Sequence, residues 1–115
     1  KIFRIRMNDN SLDIRPSSLQ KYQNNSRLDL GVKGIIPNSK INISKNKFSY
    51  NEFKKEFKFF YDIGEDKIIQ ENFRCKFFVD LWDNTSDKKI YKKTKGMVDN
   101  YFFSYEYKTD PWPYK

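Results

Sequence analysis

Residues 49–64, SYNEFKKEFKFFYDIG, admit two readings, and the choice between them decides the fold class. Ser49 with Glu52 three residues later has the form of a capping box. Tyr50, Phe53, Phe57 and Phe60 recur at helical spacing, and Gly64 is placed to close a helix. Yet Phe57, Phe59, Tyr61 and Ile63 also alternate, which is the period of a strand running into the turn at Gly64, Glu65 and Asp66. The pattern favours a helix confined to residues 50–55, followed by a strand.

Outward from this stretch the chain reads as β. Residues 1–8 place Phe3, Ile5 and Met7 opposite Arg4 and Arg6, the two-residue period of a half-buried strand. Asn8, Asp9, Asn10 and Ser11 make a turn by composition, and Pro16 is suited to open a short helix over residues 17–22. A second strand is predicted over residues 27–32, with Leu28, Leu30 and Val32 on one side, and Ile41 and Ile43 mark a third. Residues 73–82 alternate best. Phe73, Cys75, Phe77, Val79 and Leu81 oppose Arg74, Lys76, Phe78, Asp80 and Trp82, which predicts the central strand. Residues 83–87 turn, and the lysine-rich stretch leading to Gly96 is predicted to return as the second arm of a hairpin. Tyr101, Phe103, Tyr105 and Tyr107 then alternate with Phe102, Ser104, Glu106 and Lys108 in a last strand.

The expected fold is therefore mainly β: a small antiparallel β-sandwich or barrel of about six to eight strands with one or two short helices. The lack of any alanine points the same way, since helices normally use their best former. With 115 residues there is room for one core, read as a single β-rich domain over residues 1–109. Residues 110–115 carry Pro111 and Pro113 and are read as an extended tail.

Composition closes several function classes. Histidine is absent, so nucleophile systems that rely on an imidazole base are excluded. With Cys75 as the one thiol there is no tetrahedral Cys/His zinc site and no intrachain disulfide. Four glycines leave no phosphate-cradling loop, and no cofactor or metal is expected. Asp80, Asp83, Asn84 and Asp87 gather oxygens, but their spacing matches no calcium loop. No apolar run is long enough to span a bilayer. The first residue is not Met, which is compatible with a removed leader, and export to an envelope or periplasm is favoured over the cytoplasm.

The formal charge of +8 suits phosphates or anionic surfaces, although 18 Lys against 5 Arg is also what A/T-rich codon usage produces. Much of the excess sits on Lys88, Lys89, Lys92, Lys93 and Lys95. These lysines beside Tyr91, Trp82 and Phe78 resemble the mixture by which single-strand binders join backbone attraction to base stacking. The bland alternative is an edge strand whose lysines discourage edge pairing. Pro111, Trp112, Pro113 and Tyr114 form a stiff aromatic segment suited to dock on a partner, or to fold back on its own domain.

Two functions are carried forward. The first is a non-enzymatic protein-protein interaction module, a subunit or accessory protein of a larger envelope or secretion assembly, binding a protein partner through Trp112, Tyr114, Pro111 and Pro113. The alternative is a small barrel binding single-stranded nucleic acid or another polyanion through the lysine-rich arm, Tyr91 and Trp82.

Overall fold

The computed structural model describes residues 2–17, 40, 43–73 and 77–114. Strand β1 (Phe3–Met7) buries Phe3, Ile5 and Met7 completely and leaves Arg4 and Arg6 partly exposed on the other side. The turn at Asn8 is closed by Asn8 N–H donating to the Ser11 carbonyl at 2.9 Å. Strand β2 (Ser11–Pro16) then returns antiparallel, pairing Phe3 with Pro16 and Met7 with Leu12. Its Leu12 and Ile14 join the same buried face. Strand β3 (Lys47–Ser49) adds antiparallel to β2, with Phe48 opposite Leu12.

Ser49 ends β3 and caps the next helix. Its hydroxyl accepts the Glu52 N–H while the Glu52 carboxylate accepts the Ser49 N–H, so the capping box expected from sequence is present. Helix α1 (Tyr50–Glu56) runs into α2 (Lys58–Glu65) through a break at Phe57, and α3 (Lys67–Phe73) follows. The alternation of residues 57–63 does not make a strand. Phe53, Phe57, Phe60 and Ile63 are the buried set, spaced by three and four, while Tyr61 is exposed. Gly64 lies inside α2 rather than ending it.

Strand β4 (Phe78–Asp83) lies parallel to β1 on the side away from β2, pairing Phe3 with Val79 and Ile5 with Leu81. The predicted central strand thus starts later than its alternation suggested, and Phe73 closes a helix instead. The lysine-rich stretch is also helical. Asp87 caps helix α4 (Lys88–Asp99) by accepting the Ile90 N–H at 2.9 Å. Thr94 and Val98 are buried, and Tyr91 and Met97 pack against the core. Lysine is a good helix former, so a helix can be built here without alanine. Strand β5 (Phe103–Tyr107) comes back parallel to β4, a pairing that needs the crossover this helix supplies, and not as a hairpin.

The sheet order is β3-β2-β1-β4-β5. The expected antiparallel sandwich or barrel is corrected by this arrangement: one mixed five-stranded sheet with helices packed on one face, an α/β fold. A phenylalanine cluster joins the layers. Phe3 of β1 meets Phe57, Phe60 and Phe102 edge-on at 5.4 to 5.8 Å, and Phe53 stacks on Phe57 at 5.1 Å. Such pairs add about 0.5–1.5 kcal/mol each beyond the area they bury. Pro16 is the last residue of β2, and Ile43 lies outside any strand. The strand expected over residues 27–32, most of the proposed helix over 17–22, Ile41 and Cys75 lie outside the described residues.

Candidate functional site

Because the helices take one face of the sheet, strand parity assigns the opposite face its residues. β1 contributes Arg4 and Arg6, β2 Asp13 and Arg15, β4 Phe78, Asp80 and Trp82, and β5 Phe103, Tyr105 and Tyr107. The cations stand on the β2-β1 side of this open face and the rings on the β4-β5 side.

The segment after β5 covers part of it. Trp82 donates its indole N–H to the Asp110 carbonyl at 3.1 Å, and Trp112 meets Trp82 edge-on at 5.1 Å. Trp82 also stacks on Tyr107 at 4.8 Å with only 13° between the planes. Beyond Trp112 the tail reaches β1 and β2: Arg4 Nη1 donates to the Tyr114 hydroxyl at 3.1 Å, and the Arg15 guanidinium lies 5.1 Å from the Tyr114 ring centre. Arg6 sits 5.3 Å from the Trp112 ring centre. A segment with two prolines cannot extend the ladder, so it is held by side-chain hydrogen bonds, rings and cations.

Asp13 organises the charged half. Burial pushes its carboxyl up, but hydrogen bonds from Asn8 and Arg6 and the charges of Arg6 and Lys47 outweigh that and hold the group below the ordinary carboxylate value. Arg6 reaches one of its oxygens through both Nε and Nη2, at 2.9 and 2.7 Å. Beyond the tail, the aromatic half stays open. Phe78, Phe103 and Tyr105 are 47%, 54% and 58% exposed, and the Phe78 and Phe103 rings touch across the two strands.

The residues singled out from sequence are distributed unevenly around this face. Pro111, Trp112, Pro113 and Tyr114 lie on it together, with both rings half-buried and both prolines exposed. Lys88, Lys89, Lys92 and Lys93 are exposed on α4, behind the sheet, and Lys95 pairs with Asp99 at 2.7 Å. Tyr91 belongs to that side too, its hydroxyl bound to the Glu106 carboxylate, whereas Trp82 is 8% exposed beneath the tail. The sheet therefore separates Trp82 from the lysines. Asp83 binds the Thr85 N–H and hydroxyl, Asp87 caps α4, and Asn84 bonds Asn8. Among the described residues no group of acids, Cys or His could hold a metal.

Sequence reading missed Arg4, Arg6 and Arg15 as neighbours of the tail, and missed Phe103 and Tyr105 as an exposed pair. A usable signal was present, because these arginines stand out in a lysine-rich chain at alternating positions. Among the described residues no helix is long and apolar enough to cross a membrane. No family model, curated protein or solved structure matches the chain.

Proposed function

We propose that the chain is a non-enzymatic interaction module, a subunit or accessory protein of a larger assembly, and that it meets a protein partner through the aromatic half of its open sheet face. The observation that carries this reading is the contiguity of Phe78, Phe103 and Tyr105. Phe78 and Phe103 touch across the last two strands, Tyr105 follows two residues on along the same face of β5, and each ring is about half exposed. Isolated exposed rings are ordinary, but a contiguous aromatic patch rimmed by polar residues is the common form of a contact surface. Tyr105 meets Tyr107, and through Tyr107 and Trp82 the rings continue to Trp112, which keeps the tail within the same contact area. The partner surface that fits is apolar at its centre, so that these rings become its buried anchors.

A photoreactive phenylalanine placed at Phe103, with the same probe at Lys89 on α4 as the reference position, tests the reading in the organism that makes the protein. The expected result is one adduct of defined mass from position 103 and none from position 89. Adducts of the same mass from both, or from neither, would remove the patch as the contact surface.

A further inference from the structure

Three of the five arginines in this chain, Arg4, Arg6 and Arg15, stand on the open face of β1 and β2. Lysine is the default cation elsewhere, and the difference is chemical: a guanidinium is planar, stacks on rings and forks onto phosphate, whereas an ammonium is a hydrated point charge. Each of the three faces a ring of the tail. Arg6 lies against Trp112, and Arg4 and Arg15 lie 6.0 and 5.1 Å from the centre of the Tyr114 ring.

The charges are only partly answered. Arg6 is bound to Asp13, Arg4 stands in register beside Asp80, and among the described residues the buried Nε of Arg15 has no hydrogen-bond partner. Residues 111–114 are Pro, Trp, Pro and Tyr, so the tail brings Arg4 and Arg15 a neutral ring and a phenol and no anion. Beside them, Trp82 and Tyr107 form a stacked wall. Two rings on an extended backbone, each held by a guanidinium and one of them packed on a further aromatic side chain, reproduce how the bases of a single strand are held. In such a site the cations would also meet phosphates.

We propose that this face is a binding site for single-stranded nucleic acid, and that Trp112 and Tyr114 occupy it as intramolecular stand-ins for two bases. Arg4 and Arg15 take the phosphates, and bases replace the two tail rings against Trp82 and between the guanidiniums. The tail is joined to β5 through residues 108–110, so its local concentration is high and it holds the site closed against weak ligands.

The test uses the full chain, with Trp112→Ser and Tyr114→Ser together to release the tail, and a fluorescein-labelled 12-nucleotide single strand of mixed sequence read by anisotropy. Released protein is expected to bind about tenfold more tightly than the unaltered chain, the scale of losing an intramolecular competitor. Adding Arg4→Gln and Arg15→Gln should return affinity to the unaltered level and reduce the salt dependence. No gain on release would overturn the proposal. So would a gain that survives the arginine changes, since that places binding on the lysines of α4. Gain for an aromatic peptide without gain for the oligonucleotide would also overturn it, in favour of a protein ligand. Should the released variant fail to fold, the unaltered chain gives a second reading. Oligonucleotide at high concentration must shift the Trp82 indole N–H resonance as its bond to Asp110 breaks, and absent binding or an unmoved resonance overturns the site.

Discussion

Trp82 and Asp110 are joined by one hydrogen bond, from the indole N–H to the main-chain carbonyl, and it fixes where the chain turns back over the sheet. The same indole stacks on Tyr107 and receives Trp112 on its edge, so a single side chain on β4 anchors both the last strand and the tail. Trp82→Phe keeps a ring but removes the donor. The loss of one such bond is about 1 kcal/mol, which corresponds to an opening equilibrium about fivefold larger. Tryptic cleavage after Lys108 should therefore accelerate about fivefold where cleavage follows the open population. An unchanged cleavage rate would mean that the ring contacts alone hold the tail.

Asp13 supplies a pH test of the charged half. Its folded value is lowered, so its contribution to stability is complete above the unfolded value of about 4 and is lost as pH falls through the folded one. Asp13→Asn should lower the urea midpoint by a constant amount above about pH 5 and flatten the fall between about pH 5 and 2. If the variant loses stability in acid as steeply as the unaltered chain, other carboxylates carry the transition.

The local signals in this sequence were truthful, and the errors arose where two templates fitted or where the deciding contact was distant. The Ser49 and Glu52 box, the alternation of Phe3, Ile5 and Met7, and the parity of β5 each rest on neighbours within a few residues, and each is present. Residues 57–63 satisfied both the strand and the helix period because rings fill so many positions. Packing on distant rings, Phe3 and Phe102 among them, selects the helix. The lysines of α4 hide the pattern of Tyr91, Thr94 and Val98 beneath them, and without that helix the parallel crossover has the sequence pattern of a hairpin. Leu12 and Ile14 alternate over too short a run before Pro16 to stand out as a strand. The extended character of the tail was legible, but its destination was not, since Arg4 and Arg15 lie about a hundred residues earlier.

Tyr91 should titrate late. Its hydroxyl is bound to the Glu106 carboxylate, and that bond, then burial, then the negative charges of Glu106, Asp83 and Asp99 push the phenol up to about 12. A phenol raised in the folded state contributes stability that is complete below its unfolded value of about 10 and fades as pH rises through the folded one. Absorbance at the phenolate band should show a late phase that Tyr91→Phe removes, and the variant should lose less stability between about pH 10 and 12. Tyr101, which burial also raises, remains in both proteins and cancels in the comparison. A titration curve unaltered by Tyr91→Phe would place the late phase elsewhere.

Asp87 caps the lysine-rich helix at its least favourable end, because α4 begins with exposed lysines whose charges oppose its N-terminal dipole. Lys88 and Lys89 in the first turn are unfavourable there, and no acidic residue accompanies them, so the cap carries the N-terminus alone. Asp87→Ala leaves the Ile90 N–H without its acceptor and should cost about 1 kcal/mol, or about 4 °C in melting temperature for a domain of this size. Asp87→Asn keeps the acceptor and removes the charge, so it should recover most of the loss at high salt and less of it at low salt, where the lysines are unscreened. Equal melting temperatures for the Ala and Asn variants would mean that packing of Tyr91, Thr94 and Val98 on the sheet sets the start of the helix without the cap.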